Sequence, residues 1–209
     1  MNNNLTEIIA ILDRSGSMDH LTGDTIGGYN SFIKGQQDGE GEAVLTTVLF
    51  DDKYELLHDR VDVKKVKPIT RKEYFARGTT ALLDALGKTL RDVGAKLHNT
   101  AEAERPGKVI VFIITDGEEN ASVEYTKEKV KEMVELQRTT YGWEFIFIGA
   151  NIDSFSTAGS LGIDTGNAFT IDADGDSTAR AHFAMRKIVS NYRKSGDIRK
   201  GESWEDDLK

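Results

Sequence analysis

The chain contains no cysteine. A disulfide scaffold, a thiolate zinc site, an iron–sulfur cluster and a cysteine nucleophile are therefore excluded. Histidine is scarce: four residues, at 20, 58, 98 and 182, with no two at zinc-ligand spacing. Positive charge is the minority sign, 27 Lys and Arg against 35 Asp and Glu, for a net charge of −8. A broad nucleic-acid or anionic-membrane surface needs clustered positive charge, so both are disfavoured, although a local basic patch remains compatible. Long apolar runs are missing too. The first, Ile8 to Leu12, is far shorter than a signal core or a membrane span, and Met1-Asn2-Asn3-Asn4 has no basic character. A cytoplasmic location is the expectation, and the Asn120-Ala121-Ser122 sequon then carries no information. Phosphate cradles are also lacking. No Gly-x-Gly-x-x-Gly follows the first apolar run, and there is neither a Gly-x-x-x-x-Gly-Lys-Ser/Thr loop nor a Gly-x-Ser-x-Gly elbow.

What is present suits a folded protein: 209 residues, 38% hydrophobic and 30% charged. That length predicts one domain, with an appendage at most, able to bury roughly 70% of its unfolded surface. Leu5 to Leu12, Val109 to Thr115 and Phe145 to Gly149 are nearly continuous apolar runs rich in β-branched residues. Such strands need cover on both faces, as in a parallel sheet flanked by helices. Ala43 to Phe50 and Tyr54 to Val61 flank Asp51-Asp52-Lys53 and read as an antiparallel hairpin at one edge. Between these runs the spacing is helical. Leu82, Leu86, Leu90, Val93 and Leu97 step by three and four; Tyr29, Phe32 and Ile33 line a helix between Leu21 and Gln37. Val130, Met133, Val134 and Gln137 share one side of a helix from about Glu124 to Arg138, and Ala181, Met185, Ile188 and Tyr192 repeat the pattern near the C-terminus. Arg105-Pro106-Gly107 reads as a turn feeding the Val109 strand. The alternation predicts an α/β fold with right-handed crossovers. Residues 196–209 lose periodicity and form either a frayed tail or a docking arm.

Two apolar runs end in oxygen-rich loops: Asp13-Arg14-Ser15-Gly16-Ser17-Met18 and Thr115-Asp116-Gly117-Glu118-Glu119. Ligands of open α/β sheets bind beyond the carboxyl ends of strands, where strand order reverses. If these two strands are neighbours there, Asp13 and Asp116 face each other, and Arg77-Gly78-Thr79-Thr80 supplies a third wall. In an extended loop alternate residues point the same way, so Asp13, Ser15 and Ser17 converge on one point. Gly16 lets the backbone bend tightly between the serines. Hard divalent cations take about six oxygens, with one or two carboxylates and waters. Serine and threonine hydroxyls are neutral ligands, so a metal held mainly by them keeps an electrophilic face for an external carboxylate. The same residues are also good helix caps, and capping and ligation are compatible.

Asp13-x-Ser15-x-Ser17, the Gly78-Thr79-Thr80 stretch before Leu83-Asp84-Ala85, and Ile114-Thr115-Asp116-Gly117 together resemble a von Willebrand factor type A domain of the bacterial, single-domain kind. The resemblance spans residues 5–195. It implies a three-layer, doubly wound, Rossmann-like fold: a mostly parallel central sheet with one antiparallel edge strand and helices on both faces. It also implies a metal-ion-dependent adhesion site. There Ser15 and Ser17 would ligate directly, Thr80 directly or through water, and Asp13 and Asp116 mostly through waters. The implied cofactor is a divalent cation, Mg²⁺ foremost, with Mn²⁺ or Ca²⁺ as alternatives. The implied partner is a protein presenting an Asp or Glu carboxylate. Arg77 stands where a glycine is common in the family, and is expected to place a moderating cation near the metal.

Other readings compete with a binding module. A strand-end Asp with Mg²⁺ suits a phosphatase-like hydrolase, but Ser15 stands where such enzymes carry their second acid. A regulatory subunit of a larger assembly is a third reading. Asp172-x-Asp174-x-Asp176 resembles the start of a calcium loop, but Ser177 and Phe183 occupy the positions of its glycine and glutamate. Capping of the last helix explains those acids better. His20 and the other lone histidines read as structural or solvated residues.

Overall fold

A computed structural model describes residues 1–208. Six strands form one sheet: β1 (Asn2–Asp13), β2 (Glu42–Phe50), β3 (Tyr54–Asp62), β4 (Pro106–Thr115), β5 (Glu144–Ala150) and β6 (Ala168–Ile171). Their spatial order is β3-β2-β1-β4-β5-β6. All neighbours are parallel except β2 and β3, which form the antiparallel edge hairpin. Five helices connect them: α1 (Thr22–Gln37), α2 (Leu82–Asn99), α3 (Lys127–Tyr141), α4 (Ser154–Ser160) and α5 (Gly175–Ser195).

The layers follow from strand periodicity. Ile8, Ala10 and Leu12 point to one face, where α1 and α5 cover them with Tyr29, Phe32, Ile33, Met185, Ile188 and Tyr192. Ile9 and Ile11 point to the other, under Leu86, Leu90 and Val93 of α2 and Val130 and Val134 of α3. Ile8 to Leu12 are at most 1% exposed, so each large side chain contributes roughly 1.5–3 kcal/mol of burial. That two-sided burial is why the run shows no polar alternation. α1 and α5 approach closely because Gly28 has no side chain: a Cβ there would lie 2.4 Å from His182 Nδ1.

Two local expectations shift. Pro106 and Gly107 open β4 rather than forming the turn, which lies just upstream in a short 3₁₀ segment, Glu102–Glu104. Proline is tolerated as the first residue of a strand, where its missing N–H removes no ladder bond. α3 begins at Lys127, not near Glu124, because the Asp84 carboxylate accepts the main-chain N–H groups of Val123, Glu124 and Tyr125 at 2.8–2.9 Å and holds them outside the helix. The C-terminal segment folds back on the sheet. Trp204 is 2% exposed, meets Phe169 edge-on at 5.3 Å, and donates from Nε1 to Ile198 O at 2.8 Å. Asn191 of α5 clamps this segment through Ile198 O, Glu202 O and Glu202 N. Asp174 caps α5 by accepting from Ser177 N at 2.7 Å, the role expected of that acidic stretch. Among the described residues no helix is long and apolar enough to cross a membrane.

Candidate metal centre

The chain runs from β1 outward to β2 on one side, and β4 lies on the other, so strand order reverses between β1 and β4. Leu12 pairs with Ile114 in the parallel register, which brings the two oxygen-rich loops side by side at the carboxyl end. Asp13 is the last residue of β1 and is fully buried. Its Oδ1 accepts from Ser15 N at 2.7 Å and its Oδ2 from Thr115 Oγ1 at 2.5 Å. Tyr74 OH donates to the Asp13 main-chain oxygen at 2.5 Å and fixes the end of the strand.

The hydroxyls converge by a different route from the one the spacing suggests. After Ser15 the chain enters a 3₁₀ turn, Gly16–Leu21, so Ser17 lies in that turn and not in an extended loop. Ser15 Oγ and Ser17 Oγ are 3.0 Å apart, and Ser17 Oγ donates to Asp116 Oδ1 at 2.6 Å. Gly16 packs closely against the third loop: its N donates to Gly78 O at 3.1 Å, and a Cβ would press on that oxygen at 3.3 Å. Thr80 is buried on the third wall, whereas Thr79 is exposed. A Cβ on Gly117 would sit 2.6 Å from Thr80 Oγ1, so the threonine hydroxyl faces the Asp116–Gly117 backbone. Thr80 is held there by Asn120, whose Oδ1 accepts from Thr80 N and whose N donates to Thr80 O, both at 3.0 Å. Glu119 secures the same loop, accepting from Leu83 N at the start of α2 and from Ser122.

The electrostatics are those of an unneutralised pair of acids. Burial pushes the Asp13 carboxyl up to about 6; the hydrogen bonds from Thr115 and Ser15 pull it down, and the neighbouring Asp116 charge pushes it up again. Among the described residues neither acid forms an ion pair. The nearby guanidiniums of Arg14 and Arg77 are both engaged by Asp51, at 2.8 Å each. Glu55 also meets Arg14, at 2.8 Å, so the two guanidiniums face two carboxylates and Arg77 is not a free cation. Two adjacent carboxylates with no counter-charge, two mutually bonded serine hydroxyls and a facing threonine hydroxyl form a donor set that fits a hard divalent cation. Among the described residues no three His, Cys, Asp or Glu side chains gather in a metal-holding arrangement, so hydroxyls have to make up this set. His20 lies beside it, with Nδ1 2.8 Å from Ser17 O and Nε2 3.2 Å from Ala173 O, bridging the first loop to the segment before α5. Arg14, Asp51, Tyr74, Thr115, Glu119 and Asn120 are the supporting residues that motif spacing does not single out.

No protein-family model matches the chain, and no curated protein is similar to it in sequence. Solved structures do match. A von Willebrand factor type A protein from Catenulispora acidiphila aligns with a TM-score of 0.61 at 15% identity, over 89% of this chain and 43% of that one. Proximal thread matrix protein 1 from the mussel byssus, with zinc in its metal-ion-dependent adhesion site, aligns with a TM-score of 0.62 at 14% identity, over 88% and 48%. Manganese-loaded TRAP protein from Plasmodium vivax aligns with a TM-score of 0.57 at 20% identity, over 88% and 73%. The chain therefore has the von Willebrand factor type A fold. It spans less than half the length of the first two structures.

Proposed function

We propose that this chain is a non-catalytic, metal-dependent protein-binding module. Asp13, Ser15, Ser17, Thr80 and Asp116 hold one divalent cation, Mg²⁺ by the preference of hard cations for oxygen donors. When bound, the cation supplies an electrophilic position for an Asp or Glu carboxylate from a partner protein. Asp13 and Asp116 supply the negative charge, and the three hydroxyls supply neutral oxygens, so the ligand set leaves the ion's charge incompletely matched. The observation that carries this reading is the buried Asp13 carboxylate, joined through Ser15 and Ser17 to Asp116 with no cationic partner. Binding rather than hydrolysis is supported by the side chains themselves. Among the described residues the imidazole beside the site, His20, faces two carbonyl oxygens, so neither serine hydroxyl is paired with a histidine base.

The test is affinity capture with the full chain in Mg²⁺ and in EDTA, alongside Ser15→Ala/Ser17→Ala. A partner retained by the wild type in Mg²⁺, lost in EDTA and lost with the variant supports the reading. Mg²⁺-dependent turnover of a generic phosphate ester, abolished by Asp13→Asn, would replace it with hydrolysis.

A further inference from the structure

Of the proposed ligands, Thr80 alone lies neither at the end of β1 or β4 nor in the loops that leave them, and its place depends on a residue outside the motif. Asp51 follows β2 directly and is fully buried. Its Oδ2 accepts 2.8 Å hydrogen bonds from Arg14 Nε and Arg77 Nε, and its Oδ1 accepts from Lys53 N at 2.8 Å. Its main-chain oxygen accepts from Ala81 N at 2.9 Å. One residue thus grips the position between Asp13 and Ser15, the entry of the third loop, and the residue after Thr80. The main chain closes the same circuit: Arg77 N donates to Arg14 O at 2.9 Å and Arg14 N to Phe50 O at 2.8 Å. Gly78, at φ +68°, turns the loop through a left-handed conformation where a Cβ would collide with Asp52 Oδ1. Phe75 is stacked by both guanidiniums, 5.4 Å from Arg14 and 5.1 Å from Arg77.

The cluster is costly on its own terms. Arg14 is fully buried, its Nη1 has no hydrogen-bond partner, and its Nη2 meets only Glu55, at 2.8 Å and outside hydrogen-bond geometry. Buried ion pairs are weak contributors to stability, and one of their attested uses is to fix a register. Here the register fixed is that of the third loop against the first.

We propose that Asp51 and Arg77 are positioning residues for the Thr80 hydroxyl: their ion pair governs metal affinity through the place of Thr80 beside Gly117. This rests on the reading of the site as a metal centre. Two roles for Arg77 have opposite signs. As a bare cation near two carboxylates and a divalent ion, it repels metal, and its removal tightens binding. As the holder of the third loop, its removal weakens binding.

The test titrates Mn²⁺ alone into the full chain by calorimetry for the wild type, Arg77→Gln, Thr80→Ala and the double variant, with melting temperatures for each. The Arg77 side chain is 39% exposed, so its loss leaves the core intact. Arg77→Gln is expected to weaken Mn²⁺ binding about 10-fold or more, as for residues that orient metal ligands. In the Thr80→Ala background it is expected to change binding little, because it acts through Thr80. Tighter or unchanged binding by Arg77→Gln, or a full further loss in the double variant, overturns the proposal while leaving the metal centre intact. A wild type that binds no Mn²⁺ overturns both.

Discussion

Replacing Asp13 by Asn removes the charge of a buried carboxylate while keeping its shape. Burial lifts this carboxyl to about 6, assisted by Asp116 and opposed by the hydrogen bonds from Thr115 and Ser15. Against an ordinary aspartate near 3.9, the rise corresponds to about 3 kcal/mol between charged and neutral forms. The sign follows from linkage. A carboxyl raised in the folded state contributes stability that is present below about pH 4 and is lost as pH rises through about 6. Metal-free wild type should therefore weaken over that window relative to Asp13→Asn, by up to about 3 kcal/mol. For a chain of this size that is roughly 6–12 °C of melting temperature. Glu7 is also buried and raised, with desolvation outweighing its Arg60 partner, so the wild-type profile alone mixes two groups. The difference between wild type and variant isolates Asp13. The assay is thermal unfolding in EDTA from pH 4 to 8, repeated in excess Mg²⁺. In EDTA the variant should be the more stable protein at pH 7.5 and near-equal at pH 4. In Mg²⁺ the order at pH 7.5 should reverse, because only the wild type gains from binding. A variant less stable by a constant margin at every pH in EDTA would refute the reasoning.

Asp84→Ala leaves the N–H groups of Val123, Glu124 and Tyr125 without their acceptor. It should cost about 2 kcal/mol in urea unfolding and accelerate amide exchange across residues 118–125. Trp204→Ala empties a buried site against Phe169 and should cost about 3–5 kcal/mol by the same unfolding measurement. An effect below 1 kcal/mol would mean that the C-terminal segment is not part of the core.

The sheet and its helices were legible because two-sided burial writes continuous apolar runs, and one-sided burial writes a stripe at helical spacing. The rule for strand ends in open sheets led to Asp13 and Asp116 on the condition that β1 and β4 are neighbours, a condition the strand order meets. The C-terminal segment was opaque because Trp204 and Ile198 are held by a few isolated contacts, to Phe169, to Asn191 and to each other, that follow no period. The spacing of two in Asp13-x-Ser15-x-Ser17 suits an extended loop and the first turn of a 3₁₀ helix alike, so it does not reveal that Ser17 lies in the turn. Asp51, Tyr74 and Glu119 were missed for a common reason. Each acts on a main-chain or charged group 26 to 61 residues away, and no local pattern marks such a partner. In sequence Arg77 is a cation near the metal loop, and only the tertiary structure supplies the carboxylate that engages it.

The most direct measurement is the stoichiometry and affinity of Mn²⁺ on the metal-stripped wild type, compared with Ser15→Ala/Ser17→Ala at the same pH. One ion per chain, with affinity reduced at least about 100-fold when both hydroxyls are removed, is the predicted result. Equal affinity in the two proteins, or no saturable binding to the wild type, would contradict it.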